Sequence, residues 1–197
     1  TARCRPHSFG THWGCYGTSI EIYHTLLEKG YYVEIVDVSN IHRISPTVAE
    51  VGDFDDPKFF NDFSKLNVGL LTTLRQSDLV VVNGEGTLHR LNKGPLNLLY
   101  LMYICKKYLR KKVHLINFSC FPNGDDTIST GISKIYPNVI KHLDKVTPRD
   151  HVTSRILLGS GIKTLQAFDC LPRFLDRYKF LNSHEPAGYI LISGGVN

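Results

Sequence analysis

The 197-residue sequence is short of several things. Its uncharged, mostly apolar run around residues 96–105 is far too short to cross a bilayer, so it does not read as a membrane-spanning helix. Its five cysteines are odd in number and form no close-set framework of pairs, which argues against a disulfide scaffold. Free thiols in a reducing compartment are the simpler reading, and a cytoplasmic location, or one peripheral to a membrane, is the expectation. No internal repeat and no low-complexity tract is present, which excludes solenoids and arrays. From Thr87 through Gly124 there is no Asp or Glu at all, although Arg90, Lys93, Lys106, Lys107, Arg110, Lys111 and Lys112 all fall in that stretch.

Apolar residues make up 42% of the chain and charged residues 21%, an ordinary balance for a globular protein able to bury a core. The net charge of +5 is too mild to argue for nucleic acid and suits a small, strongly anionic substrate. Strands are expected at residues 32–38, 79–83, 113–119, 145–147, 164–168 and 189–193, where apolar or β-branched runs are bounded by turn residues. Several are apolar throughout, as in strands covered on both faces.

Helical signals alternate with these runs. Thr18 and Glu21 have capping-box spacing, and Gly30 sits at the matching stop. Asp56-Pro57 opens a helix whose apolar positions are Phe59, Phe63, Leu66, Leu70 and Leu74. Residues 94–109 read as a mostly buried helix with a cationic end. A further helix covers residues 132–143, with Pro137 as a candidate kink, and Asp150 caps another that stops near Gly161. Residues 39–56 read as a long loop. Alternation of strand and helix implies an α/β fold built on a parallel sheet. The expected organisation is one domain over residues 1–182, followed by a linker and the first strand of a second unit over 183–197.

In an open parallel sheet, ligands bind beyond the carboxyl ends of the strands. The loops rich in glycine and polar residues fall there. "VVVNGEGTLH" at residues 80–89 ends in Gly84-x-Gly86, but a dinucleotide fingerprint needs a third glycine where this chain has His89. It also needs a ribose-binding acid about 20 residues on, inside the acid-free stretch. Either the loop is a tight strand-to-helix turn, or it serves a different ligand. His89 can act as a general acid or base, or simply pack at a helix start. Arg149, after Pro148, can grip a carboxylate or phosphate, or pair with a neighbouring acid such as Asp150. Asn83 and Asn117 lie at strand ends, where each can orient a substrate hydroxyl or satisfy buried backbone.

Near the start of the chain, Gly14 and its neighbours can present backbone N–H groups to an anion at a helix N-terminus, and Trp13, the sole tryptophan, can line a sugar site or pack in the core. Cys4, His7, His12 and Cys15 have a spacing that could close a tetrahedral zinc site, although the order is unlike common zinc ribbons and fingers. Structural loops are the alternative in each case.

"THWGCYGTS" at residues 11–19, "DLVVVNGEGTLH" at 78–89 and "TPRDHVTSRILLGSGI" at 147–162, with Asp169 beyond, resemble the polysaccharide pyruvyl transferase family. The third block has Arg-Asp where that family more often shows Arg-Glu. The resemblance implies a glycosyltransferase-B-like enzyme of two Rossmann-like domains, with the chain supplying the first and the last residues beginning the second. It implies transfer of a pyruvyl group from phosphoenolpyruvate to hydroxyls of a saccharide acceptor, with no cofactor and no metal. His89 and Arg149 carry over as catalytic residues. Trp13, Gly14, Asn83, Gly84, Glu85, Gly86, Thr87, Asn117, Ser119 and Asp150 are the expected substrate contacts. A sugar-nucleotide glycosyltransferase of the same shape and a non-catalytic glycan- or anion-binding module are the competing readings.

Overall fold

The computed structural model describes residues 13–123 and 134–179. The strands predicted at 79–83, 113–119 and 145–147 form, and the first two run longer than their apolar stretches. They are β1 (Leu79–His89), β2 (Lys112–Phe121) and β3 (Lys145–Pro148), joined in the order β1-β2-β3 with every pairing parallel. Helix α5 (Lys93–Lys107) crosses from β1 to β2, and α6 (Ile135–Ile140) lies between β2 and β3. The architecture is a mixed α/β, Rossmann-like layer of parallel strands flanked by helices. Because all strands point one way, His89, Phe121 and Pro148 end at the same edge.

The core lies between sheet and helices. Val113, Leu115 and Phe118 of β2 are fully buried, as are Leu99, Tyr100, Met102 and Ile104 of α5. The central strand buries Val113 and Leu115 on one face, leaves His114 and Ile116 half-buried on the other, and becomes buried throughout from Asn117 to Cys120. Pro137 does not kink α6. It occupies the first turn, where its missing N–H has no intrahelical partner to lose.

Several local signals hold. Helix α1 (Trp13–Glu28) stops where Gly30 takes φ +82°, with Gly30 N–H donating to Leu27 O and Tyr31 N–H to Leu26 O, a Schellman closure. Asp56 accepts from Lys58 N–H at 2.8 Å and Pro57 opens α3 (Pro57–Leu66). Asp150 caps α7 (His151–Gly159), accepting from Thr153 N–H at 2.7 Å.

Other expectations are corrected. Thr18 does not cap a helix, because α1 begins five residues earlier and Thr18 lies inside it. The predicted single helix from Asp56 splits at Asn67, whose side-chain N–H group donates to Phe63 O and to Ser45 O; α4 (Val68–Gln76) then restarts, and Leu66 faces solvent. Residues 39–56 are not a bare loop. They hold the end of α2 (Val38–His42) and a 3-10 turn (Val51–Phe54), and they bury Ile44, Val48 and Phe54.

Residues 32–38 form no strand. Residues 32–37 have no regular structure, Val38 begins a helix and Tyr32 is 95% exposed: β propensity alone does not make a strand without a partner to pair with. Residues 164–168 are also not assigned to a strand, yet Leu165 N–H donates to Val146 O at 2.9 Å and Ala167 N–H to Pro148 O at 3.3 Å, so the segment runs along β3. Helix α8 (Leu171–Tyr178) was not expected; it packs on α1. The expected strand at 189–193 and the linker at 183–187 lie outside the described residues.

Candidate active site

The tips of β1 and β2 are irregular at the same level. The register shifts between Glu85 and Leu88 on β1 and between Ile116 and Phe118 on β2. Glu85 has φ +43° and Asn117 φ +51°, a left-handed backbone that non-glycine residues seldom adopt. The glycine segment is thus no strand-to-helix turn but an irregular stretch of β1, which sends Glu85 and Gly86 to opposite sides.

On one side the polar groups satisfy each other. The Glu85 carboxylate is 8% exposed and accepts from the Thr18 hydroxyl and from Asn83 Nδ2 at 2.8 Å. Asn83 Oδ1 accepts from Asn117 Nδ2 at 2.9 Å, and Asn83 Nδ2 also reaches Ser19 Oγ at 3.1 Å. The Cys15 thiol bonds to Glu85; burial, that bond and the carboxylate's charge push it up to about 11, so it stays a neutral donor. Gly84 belongs to the packing here. A Cβ on it would lie 2.6 Å from Phe118 Cβ, so the glycine lets β1 approach β2.

On the other side the loop is open. A Cβ on Gly86 would lie 3.8 Å from His89 Nε2 and 4.0 Å from Arg149 Nη2, and nothing nearer surrounds it. Gly86 is exposed, while His89 and Arg149 are half-buried. The imidazole stacks on Phe121 with ring centroids 5.1 Å apart and planes 14° from parallel. Its backbone is fixed by the next residue: Arg90 N–H donates to Phe121 O, and the Tyr136 hydroxyl donates to Arg90 O. Among the described residues the His89 ring makes no hydrogen bond. Burial, and then the Arg149 charge, hold its pKa below the ordinary histidine value, with Asp150 opposing in part. The ring is therefore neutral and able to accept a proton at neutral pH.

Arg149 is steered by its neighbours. Its Nε donates to Ser119 Oγ at 3.0 Å and its Nη1 to Asp169 Oδ2 at 3.0 Å. Ser119 in turn donates to Asp150 Oδ2 at 2.7 Å, and Thr153 Oγ1 donates to that same oxygen at 2.9 Å. With its other oxygen on Thr153 N–H, Asp150 is fully engaged as a helix cap.

The structure thus sorts the residues picked out from sequence. His89, Gly86 and Arg149 come together around open space. Ser119 and Asp150 stand behind Arg149 as its support. Asn83, Gly84, Glu85 and Asn117 turn into a hydrogen-bonded cluster with Thr18, and half-buried Thr87 sits within the register shift. Trp13 and Gly14 open α1 rather than a loop, and Gly14 faces Leu171 of α8. Of the candidate zinc ligands, Cys4, His7 and His12 lie outside the described residues, Cys15 is exposed with its thiol on Glu85, and no metal-holding cluster occurs among the described residues. Asp169, which the sequence marks as part of the resemblance but not as a catalytic or substrate residue, joins the site through Arg149. Its signal was an acid at the tip of an expected strand.

A family model described as polysaccharide pyruvyl transferase matches residues 19–184. The chain belongs to the polysaccharide pyruvyl transferase family. The match spans most of the chain and contains Gly86, His89 and Arg149, while Trp13 and Gly14 precede it. Membership makes the protein a transferase of polysaccharide biosynthesis, with a saccharide as acceptor. Comparison with curated proteins and with solved structures gave no match. Among the described residues, no helix of this family member is long and apolar enough to cross a membrane.

Proposed function

We propose that the protein transfers the pyruvyl group of phosphoenolpyruvate to hydroxyls of a saccharide, forming a ketal, and that Gly86, His89 and Arg149 hold the reacting centre. The observation that carries this reading is the convergence of His89 Nε2 and Arg149 Nη2 on the space above a glycine. In it, the unit described is one of two Rossmann-like halves of a glycosyltransferase-B-like enzyme, and no cofactor takes part.

Phosphoenolpyruvate carries a phosphate and a carboxylate on three carbons. A guanidinium with an unused N–H edge suits one of those groups, and it acts most strongly where water is partly excluded. The acceptor hydroxyl attacks the central carbon while the methylene carbon gains a proton and becomes a methyl. His89, neutral at rest, takes the hydroxyl proton and is the group placed to return it to carbon. Phosphate leaves, the central carbon is left cationic, and the second hydroxyl closes the ketal. Its proton departs with phosphate, so atoms and charges balance.

The test is a donor screen with the full-length protein. Phosphate released from phosphoenolpyruvate only when a saccharide acceptor is present supports the reading. Nucleotide released from an activated sugar, with phosphoenolpyruvate inert, replaces it with glycosyl transfer.

A further inference from the structure

Asp169 stands outside the residues assigned to the reaction, yet both of its oxygens are committed to different parts of the molecule. Oδ2 accepts from Arg149 Nη1 at 3.0 Å, and Oδ1 accepts from Leu171 N–H at 2.9 Å, at the first turn of α8. The elements on either side of it are anchored. Before it, Leu165 and Ala167 donate to the backbone of β3. After it, α8 is tied to α1 by ion pairs to Glu21, a carboxylate 1% exposed: Arg177 Nε at 2.7 Å and Arg173 Nε at 2.8 Å. The acid is therefore a fixed point, unlike a surface carboxylate on a free rotamer.

A guanidinium is planar, so two hydrogen bonds in that plane set its direction. Ser119 takes Nε and Asp169 takes Nη1, which leaves Nη2 as the nitrogen that faces Gly86. We propose that Asp169 is the positioning residue of this site, aiming Arg149 at the space it shares with His89 while its other oxygen locks that aim to α8. The inference rests on the pyruvyl-transfer reading for its kinetic consequence and on geometry alone for the coupling. The pair is partly exposed on both sides, so its contribution to stability is small. Its effect falls on orientation.

Asp169→Asn is the informative variant, because asparagine keeps an oxygen for Leu171 N–H and puts an NH2 group, which cannot accept from Arg149, where the charged oxygen was. In the full-length protein it is expected to lower kcat for phosphoenolpyruvate-dependent transfer on the order of 10- to 100-fold. KM for phosphoenolpyruvate should stay within about threefold, since removing a competing anion offsets the looser grip. Asp169→Glu should restore part of kcat. Arg177→Ala removes one of the two arginines on Glu21 and leaves Arg173 to hold α8 on α1, so Asp169 stays anchored and kcat should stay near that of the unaltered protein. A second readout needs no turnover: the NMR signals of the Arg149 guanidinium should be resolved, as for hindered rotation, in the unaltered protein and in Arg177→Ala, and averaged in Asp169→Asn. The proposal is overturned if Asp169→Asn keeps its kcat, if Arg177→Ala loses as much as Asp169→Asn, or if the Arg149 signals are already averaged in the unaltered protein. Failure to release phosphate from phosphoenolpyruvate would overturn the functional reading instead, and the NMR comparison would still decide the coupling.

Discussion

The two sides of the Gly84–Thr87 segment differ in how their hydrogen bonds are spent. On the Glu85 side, a buried carboxylate, two amides, a hydroxyl and a thiol satisfy one another. On the Gly86 side, an imidazole has a stacking partner but no hydrogen bond among the described residues, and a guanidinium points a nitrogen at open space. Closed polar networks rigidify; unmet donors and acceptors beside a gap are where a ligand gains most. The contrast teaches that a polar residue in a glycine loop is not thereby a ligand contact. Asn83, Glu85 and Asn117 build the scaffold that holds the other side still.

The comparison can be broken most directly at His89 and Arg149. Changing either to Ala should reduce transfer by about 10²- to 10⁴-fold while thermal unfolding stays nearly unchanged. A large loss of stability in either variant would move that residue into the scaffold. Next come the two glycines. Gly86→Val should cost on the order of 100-fold in kcat/KM with little effect on folding, because its side chain would enter only the gap. Gly84→Ala should do the reverse: it forces a Cβ onto Phe118 and should destabilise by about 1–3 kcal/mol, measured by denaturant unfolding.

Glu85→Ala should likewise act on stability, by about 1–3 kcal/mol, since it removes the buried acceptor shared by Thr18 and Asn83 and leaves them only Cys15 O and Ser19 Oγ. A variant at Glu85 with native stability and no transfer would erase the distinction between the two sides. The smallest effect is in pH. The folded His89 ring titrates below 6.5, because burial and Arg149 oppose its charged form. Transfer that needs the neutral ring should fall on the acid side below that value. The unfolded chain takes up this proton first, so folding stability should also fall as pH drops through the window between the unfolded and folded pKa values, and His89→Gln should flatten that part of the stability curve.

Much of the frame could be read from the residues. The apolar runs at 79–83, 113–119 and 145–147 are long enough and turn-bounded enough to be strands, and Asp56-Pro57 and Asp150 are strong starts because their caps are local. The misreadings share a cause, which is that distant partners decide. Thr18 lies inside a helix whose neighbour is Glu85, and no spacing within α1 reveals that. Asn67 breaks a helix because its side chain reaches Ser45. Residues 32–38 have the composition of a strand without the pairing. Helix α8 was legible, with Leu171, Phe174, Leu175 and Tyr178 at helical spacing, but its shortness hid it. At the site, sequence could name His89 and Arg149; only the parallel order of β1, β2 and β3 shows that they meet, and that Asp150 is occupied.

That one-way run of the strands has a practical side. The last backbone bonds to β2 come from Arg90 N–H and Arg149 N–H, so residues farther out in the connections can change composition without touching the ladder. A change of acceptor preference is therefore the expected result of altering the connection after Phe121, whereas the residues after Pro148 are Arg149 and Asp150, which the site and α7 need in place.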